Sequence, residues 1–408
     1  MRLLCHAVGV SLAGVLVSCA TAQAPPVRAT VRPGIDVLLE DSLHLVKGRA
    51  VGLLTNRNGV DRHGVSDIER LRAAGVNLVA LFTPEHGFRG AADPGAAVAT
   101  TRDSATGLPI YSLYGSTFAP TAEMLTGVQV FLVDLPDAGA RYFTYVSTTI
   151  ELMKSPAMAS IPVIILDRPD PVGGAVQGNV LDSTTRSFVG SVSVPMRHGL
   201  TPGELALLAQ RERGLATKLI VVPVSGWRRS MYFDATGLPF DPPSPNLRDL
   251  ESIISYSGTC LFEGTNLSTG RGSDAPFSQI GAPWLDPDAI LARLGPQPGV
   301  ALTPTTFIPR QPGDGKYADT LLHGIRLQVT DRAAYDAPAT ALRLLVAIRQ
   351  VHPAQFAWNP KHFDRLAGQP GLREALERGA PVDSILGVWA GQRAAFAARA
   401  ASVRLYPE

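Results

Sequence analysis

Short apolar runs and amphipathic stretches alternate along most of this chain, and each apolar run ends abruptly in a polar turn. Val51-Gly52-Leu53-Leu54-Thr55 reads as a strand. A helix over 66–74 follows it, with Ser66 and Glu69 spaced as a capping box. The next run, over 77–83, is uninterrupted, of strand length and bounded by breaker residues, the pattern of a strand buried on both faces. Runs over 128–135 and 162–167 repeat it, with a helix over 144–154 between them. A further helix over 201–211 carries Pro202 in its first turn, and 218–224 is one more strand. Strands that alternate with helices in this way predict an α/β protein built on a doubly wound, mostly parallel sheet.

From about Trp284 the texture changes. Segments rich in Pro and Gly separate a strand over 321–329, a strong helix over 337–350, and helices near 372–378 and 388–400. The expectation is a larger domain over 34–284 and a smaller α+β domain over 285–408.

In an open parallel sheet the carboxyl ends of the strands share one edge, and ligands bind beyond it. Polar clusters fall at four such ends. Asn56 follows the first strand. Thr83-Pro84-Glu85-His86-Gly87-Phe88-Arg89-Gly90 follows the second, where Pro84 and two glycines stop the strand around a carboxylate, an imidazole, an aromatic ring and a guanidinium. Asp134 to Tyr145, with Asp137, Arg141, Tyr142 and Tyr145, follows the third, and Asp167-Arg168-Pro169-Asp170-Pro171 the fourth. Two further polar segments are 241–246, with Asn246, and 256–284, with Glu263, Asn266, Ser268, Arg271 and Asp274 among glycines. The latter reads as a loop, and long polar loops in compact domains are usually functional. Carboxylates, amides, arginine and aromatics together are what a carbohydrate pocket needs. Structural readings stand beside these: Glu85 can pair with Arg89, Asp134 and Asp167 can cap helices, and Arg141 and Arg168 can pair with those acids. Tyr142 and Tyr145 suit a core as well as a sugar-stacking face, and His86 reads as hydrogen-bonding support.

Composition narrows the field. Hydrophobic residues make up 45% and charged residues 18% of the 408, an ordinary globular balance. A formal charge of +2 with no Lys/Arg run gives no nucleic-acid footprint. The 8 histidines show no metal-ligand spacing, so no metal is expected; His86, His198 and His323 could meet only through folding. Neither a G-x-S-x-G elbow nor a phosphate-binding glycine motif in its proper place occurs, so no cofactor is expected. Residues 1–24 read as an export signal, with Arg2 before an apolar run. Leu16-Val17-Ser18-Cys19 has the form of a lipobox, which would lipidate Cys19 and tether the protein to a membrane; cleavage after Ala22 is the alternative. Either way the expected location is outside the cytoplasm, periplasmic or as an anchored lipoprotein. Cys260 alone remains in the body, in an apolar setting that suits a buried thiol.

PEHGFRG, DAGARYFTY, LDRPDPVGG, SFVGSVSVPMRHGLTPGELA, the SPN loop and GTCLFEGTNLSTGRG followed by GAPW together resemble the exo-β-N-acetylmuramidase family of bacterial glycoside hydrolases. The resemblance runs from about Gly34 to the C-terminus. It implies a Rossmann-like catalytic domain with a smaller C-terminal domain, and release of N-acetylmuramic acid from the non-reducing ends of peptidoglycan fragments. It makes Glu85 the catalytic acid, with His86 its neighbour. It implies a pocket lined by Asp137, Arg141, Tyr142, Tyr145, Arg168, Arg197, His198, Asn246, Glu263, Asn266 and Arg271, with Asn56 at the first strand end. Gln177 is a departure, standing where many relatives have a glutamate before the glycine. Glu263, Asp137 or the substrate's acetamido oxygen could be the second catalytic group. The lactyl carboxylate calls for an arginine fork, with Arg141, Arg168, Arg197 and Arg271 as candidates. Two other readings remain: a muropeptide-binding envelope lipoprotein with weak or no catalysis, and a metal-dependent peptidoglycan amidase.

Overall fold

The apolar runs become strands buried on both faces, as uninterrupted hydrophobicity requires. The computed structural model describes residues 31–90, 92, 95–97 and 99–408; the export segment and its Cys19 lie outside them. In chain order the first strands are β1 (Ala50–Thr55), β2 (Asn77–Thr83), β3 (Thr101–Arg102), β4 (Pro109–Ser112), β5 (Val130–Asp134) and β6 (Val163–Leu166). A short antiparallel pair follows, β7 (Gln177–Val180) and β8 (Pro195–Arg197), then β9 (Leu219–Val222). The main sheet has the order β3-β4-β2-β1-β5-β6-β9, and every pairing except β3–β4 is parallel. Numbered by chain order, its six parallel strands β1, β2, β4, β5, β6 and β9 therefore lie as 3-2-1-4-5-6, the Rossmann arrangement. The order reverses between β1 and β5, and the ligand crevice of such sheets opens at the carboxyl ends there.

Helices cover both faces. On one, α1 (Gly34–Asp41) and α2 (Asp67–Ala73) bring Ile35, Leu38 and Leu71 onto Val51, Leu53, Leu132 and Ile164. On the other, α3 (Thr144–Lys154) and α4 (Pro202–Arg213) bring Ile150, Leu152, Leu205 and Leu208 onto Leu54, Phe131, Val133 and Ile165. Alternate strand residues thus feed opposite layers. Local signals set the helix ends: the Ser66 side chain accepts the Glu69 amide, and Thr201 with Glu204 closes a full capping box.

The C-terminal layer is an antiparallel sheet, β10 (Gln279–Ala282), β11 (Val300–Phe307) and β12 (Leu322–Val329), in the order β10-β12-β11. Helices α5 (Leu250–Thr259), α6 (Pro287–Leu294), α7 (Ala337–Val351), α8 (Pro360–Ala367), α9 (Leu372–Glu377) and α10 (Val382–Ala401) accompany it. Because β10 pairs with β12 and α5 packs on α7, this layer begins upstream of residue 285. The segment 256–284, read as a loop, carries the end of α5, a 3-10 turn at Cys260–Gly264 and β10. Its polar look comes from small hydroxyl residues that face inward, since Ser257, Thr259, Thr265, Ser268 and Thr269 are all buried. Among the described residues, no helix is long and apolar enough to cross a membrane.

The two domains meet along α8. Within the C-terminal layer, a Cβ on Gly264 would lie 2.4 Å from the Phe363 Cα, so the 3-10 turn rests directly on the α8 backbone and fixes its position. Arg141, just after β5, donates to Leu366 O at 3.0 Å and Ala367 O at 2.9 Å. Gly264→Ala is expected to lower unfolding free energy by about 1–3 kcal/mol through overpacking of the 3-10 turn against α8. Chemical denaturation measures it, and an unchanged midpoint would show that α8 can retreat freely.

Candidate active site

Glu85 sits just past the end of β2, beside β1 at the reversal of strand order. His86 and Gly87 take left-handed φ values of 68° and 74°, which turn the chain sharply back. The turn is clasped: His86 Nδ1 lies 2.7 Å from Ala92 O, and the Ala92 amide donates to His86 O at 3.1 Å. The buried Glu85 carboxyl accepts the Gly95 amide on Oε1 at 2.8 Å, and the Thr144 hydroxyl donates to Oε2. Thr144 is the first residue of α3, so the carboxyl also lies at a helix N-terminus, where a negative charge is favoured. Among the described residues Glu85 forms no salt bridge, with Arg89 or any other cation.

Two phenols flank it. Burial, followed by the charge and hydrogen bonding of Glu85, pushes the Tyr114 hydroxyl well above its ordinary pKa. Burial and then the Glu85 charge do the same to Tyr145. Tyr145 accepts the Asn56 amide at 3.0 Å and donates to Pro243 O at 3.0 Å. Asn58 donates to Asp241 O at 2.9 Å. The ends of β1 and β2, the start of α3 and the 241–246 segment, where Asn246 is buried, are thereby stitched together. A cleft of about 510 Å³, bordered by Asn56, Arg57, Asp67, Phe88 and Arg89, opens on this edge. Beyond Tyr114 lies an open aromatic surface. Its ring centroid is 5.5 Å from Phe118 and 5.7 Å from Phe188, and Phe118 is 41% exposed.

Most other candidate residues are engaged within the protein. Arg168 forks onto Asp134, donates to Val60 O at 2.9 Å and faces Asp67 at 4.0 Å, so the ends of β5 and β6 and the start of α2 are locked by buried charge. Arg141 places its donors on main-chain carbonyls and the Asn179 side chain. Arg197 donates to Val172 O and to Tyr232 Oη at 3.1 Å. Gln177 donates its amide to Tyr335 O at 2.7 Å, a bond that a carboxylate could not make; the departure falls in a structural seam. Tyr142 and Tyr145 are buried to within 2%, so neither offers a face for a sugar, and the open aromatics are Phe118 and its neighbours. Asn266 clasps residues 355–357 through Gln355 O and the Ala357 amide. Glu263 is paired with Arg271 at 2.6 Å, and the guanidinium stacks 4.9 Å from Phe277.

Asp137 accepts from His198 Nε2 at 3.0 Å, and Asp170 lies 3.7 Å from Nδ1. Among the described residues this trio is the group whose ligand atoms lie close enough, within 4.8 Å, to hold a cation, and it includes neither His86 nor His323. The Leu200 amide donates to His198 Nδ1 at 3.2 Å, so both ring nitrogens are engaged, while Asp137 Oδ1 and Asp170 Oδ2 are buried without a hydrogen-bond partner.

Sequence reading missed Thr144, Tyr114, Phe118, Phe188 and the α8 side chains His362 and Arg365. Tyr114 follows β4, a four-residue strand too short to stand out by periodicity. Thr144 lies within the third polar cluster and at the start of the expected helix, with no site role of its own assigned there. Arg365 lies on α8, brought to this wall by domain packing, and its charge opposes that of Glu85 at the Tyr114 hydroxyl.

A Rossmann-like sheet with a glutamate at its crevice edge, held by a hydroxyl and an amide beside an open aromatic surface, defines an α/β protein with a candidate site at that edge. Residues 51–251 match the model described as exo-beta-N-acetylmuramidase NamZ, N-terminal, and 254–406 its C-terminal counterpart. The chain belongs to the exo-β-N-acetylmuramidase family of glycoside hydrolases. It is 40% identical over 361 residues to the peptidoglycan beta-N-acetylmuramidase NamZ of Bacillus subtilis (strain 168), covering 87% of this chain and 86% of that protein. Two DUF1343 family crystal structures from Bacteroides fragilis NCTC 9343 are similar over their whole length. One has TM-score 0.84 and 34% identity over 94% of this chain, the other 0.77 and 29% over 93%.

The buried trio yields a pH signature. Burial pushes the Asp170 carboxyl up to about 7, against the pull of His198 and with the push of Asp137. A carboxyl that holds its proton more tightly when folded contributes its full stability below its unfolded pKa of about 3.9 and loses it as pH rises through the folded value. The melting temperature is therefore expected to fall from pH 5 to pH 8 more steeply in the wild type than in Asp170→Asn. Scanning calorimetry across that window checks this, and equal slopes would contradict it.

Proposed function

We propose that this protein is an exo-acting glycoside hydrolase that releases N-acetylmuramic acid from the non-reducing ends of peptidoglycan fragments, with Glu85 as its general acid. The observation that carries the proposal is the setting of the Glu85 carboxyl. Glycosidic cleavage needs a proton at the leaving oxygen and support for an oxocarbenium-like centre. A general acid must gain and lose that proton without moving. The Thr144 hydroxyl suits this role because it can donate to a carboxylate or accept from a carboxylic acid in one position. Asp137 is bound to an imidazole and Glu263 to a guanidinium, whereas among the described residues Glu85 has only neutral partners.

The surroundings fit the same chemistry. Tyr114 and Tyr145 stay protonated across the physiological range, so they present hydroxyls beside the acid. The Phe118 and Phe188 rings offer apolar faces of the kind sugars stack on. The relative from Bacillus subtilis carries the activity in its name, which supports extending it to this chain. Peptidoglycan lies outside the cytoplasm, and the lipobox at Cys19 supports a membrane-tethered location there.

Glu85→Gln is expected to lower release of N-acetylmuramic acid from a chromogenic β-muramide by about 10²–10⁴-fold, with an unchanged melting curve. Near wild-type turnover would remove Glu85 from the mechanism. Fragment binding without any sugar release by the wild type would favour a binding lipoprotein, and activity lost on chelation would favour a metal-dependent amidase. Cys19→Ala is expected to move the protein from the membrane fraction to the soluble one. A soluble wild type beginning at Gln23 would instead show cleavage after Ala22.

A further inference from the structure

Three of the four arginines expected to meet the lactyl carboxylate are spent on the scaffold, and Arg271 is tied to Glu263. A cation without such a partner stands elsewhere on the site. Arg365 is exposed on α8, forms no salt bridge among the described residues, and makes one side-chain hydrogen bond, to His362 Nδ1 at 2.6 Å.

Its position is held by the backbone that follows it. The Leu366 and Ala367 carbonyls receive Arg141, the Asn179 amide donates to Ala367 O at 2.9 Å, and the Asp182 amide donates to Gly368 O at 2.8 Å. Arg141 stands three residues before Thr144, the residue bonded to Glu85. The same strut that anchors α8 therefore belongs to the segment that holds the acid. The segment that Gly368 receives at Asp182 carries Phe188, whose ring centroid lies 5.7 Å from that of Tyr114, and the charges of Glu85 and Arg365 both act on the Tyr114 hydroxyl.

We infer that Arg365, oriented by His362, binds the ionised carboxylate carried by the terminal sugar, and so selects a lactyl-substituted hexosamine over a neutral one. This deepens the muramidase reading and rests on it. The hydrogen bond sets the roles. A guanidinium can only donate, so His362 Nδ1 accepts and the imidazole is neutral there. Burial lowers the His362 pKa, with Glu263 opposing and Arg365, Lys316 and Arg271 assisting, which keeps it in that state. One donor of Arg365 is thus used for aim, and the rest of its planar fork is left for two carboxylate oxygens. Lys316 donates to the Glu263, Thr265 and Leu267 carbonyls, which holds a second positive charge on this wall. Glu263, the acid that acts on His362, is neutralised by Arg271.

The test compares a chromogenic β-N-acetylmuramide with its lactyl methyl ester, which keeps shape and loses charge. The wild type is expected to favour the acid by at least about 10-fold in kcat/KM. Arg365→Ala should collapse that ratio to near one, a loss of about 10–100-fold confined mainly to the acid. Arg365→Lys should restore part of the ratio, having charge without the fork. Equal losses on both substrates, or a ratio retained in Arg365→Ala, would overturn the assignment. Should the wild type hydrolyse neither compound, the catalytic reading falls by itself. Calorimetric binding of the same pair then decides the recognition claim: preference for the acid that disappears in Arg365→Ala supports it, and equal binding of acid and ester by the wild type overturns it.

Discussion

Arg141 is a buried guanidinium with no carboxylate beside it among the described residues. Taking such a charge out of water costs several kcal/mol unless oxygens replace the hydration shell. Here five oxygens do so, from Asn179, Val194, Leu366 and Ala367. These groups come from both domains, so the charge is compensated only when α8 is docked on the sheet edge. Docking of the C-terminal domain and construction of the site are thus one event. The chain leaving Arg141 delivers Thr144 to Glu85, and the chain entering its carbonyl partners presents Arg365.

The same economy governs the strand ends. Asp134, Arg168 and Asp67 share buried charge that holds β5, β6 and α2 in register. Burial and the Asp134 charge raise the Asp67 pKa well above the carboxylate range, and Arg168 pulls against them. Asp167 receives the Thr201 hydroxyl at 2.7 Å and the Gly203 amide at 2.8 Å, which fixes the start of α4. Polar residues crowd this edge partly because the sheet must be pinned there. Amid this scaffold Glu85 keeps only neutral partners among the described residues.

The pattern of strands and helices was legible where periodicity and caps agreed. β2, β5, β6 and β9 fall within the expected runs, β1 begins one residue earlier at Ala50, and α3 has its expected limits. α5 was not legible because its buried face carries serines, and α8 because only Phe363, Leu366 and Ala367 are buried along it. β4 was too short for alternation to register. For the site, motifs pointed to Glu85 and to the edge it occupies. They could not separate a guanidinium that faces a ligand from one that braces a loop, since Arg141, Arg168 and Arg365 look alike in a sequence. That difference lies in which oxygens lie within reach, and packing between domains decides it.

The central claim is that Glu85, at the crevice edge of a Rossmann-like sheet, serves cleavage of a terminal muramic acid linkage. Mass analysis of the products formed by the purified wild-type protein from N-acetylmuramyl-β-1,4-N-acetylglucosamine tests it most directly. Free N-acetylmuramic acid and N-acetylglucosamine in equal amounts are the predicted result. An intact disaccharide after prolonged incubation would contradict it.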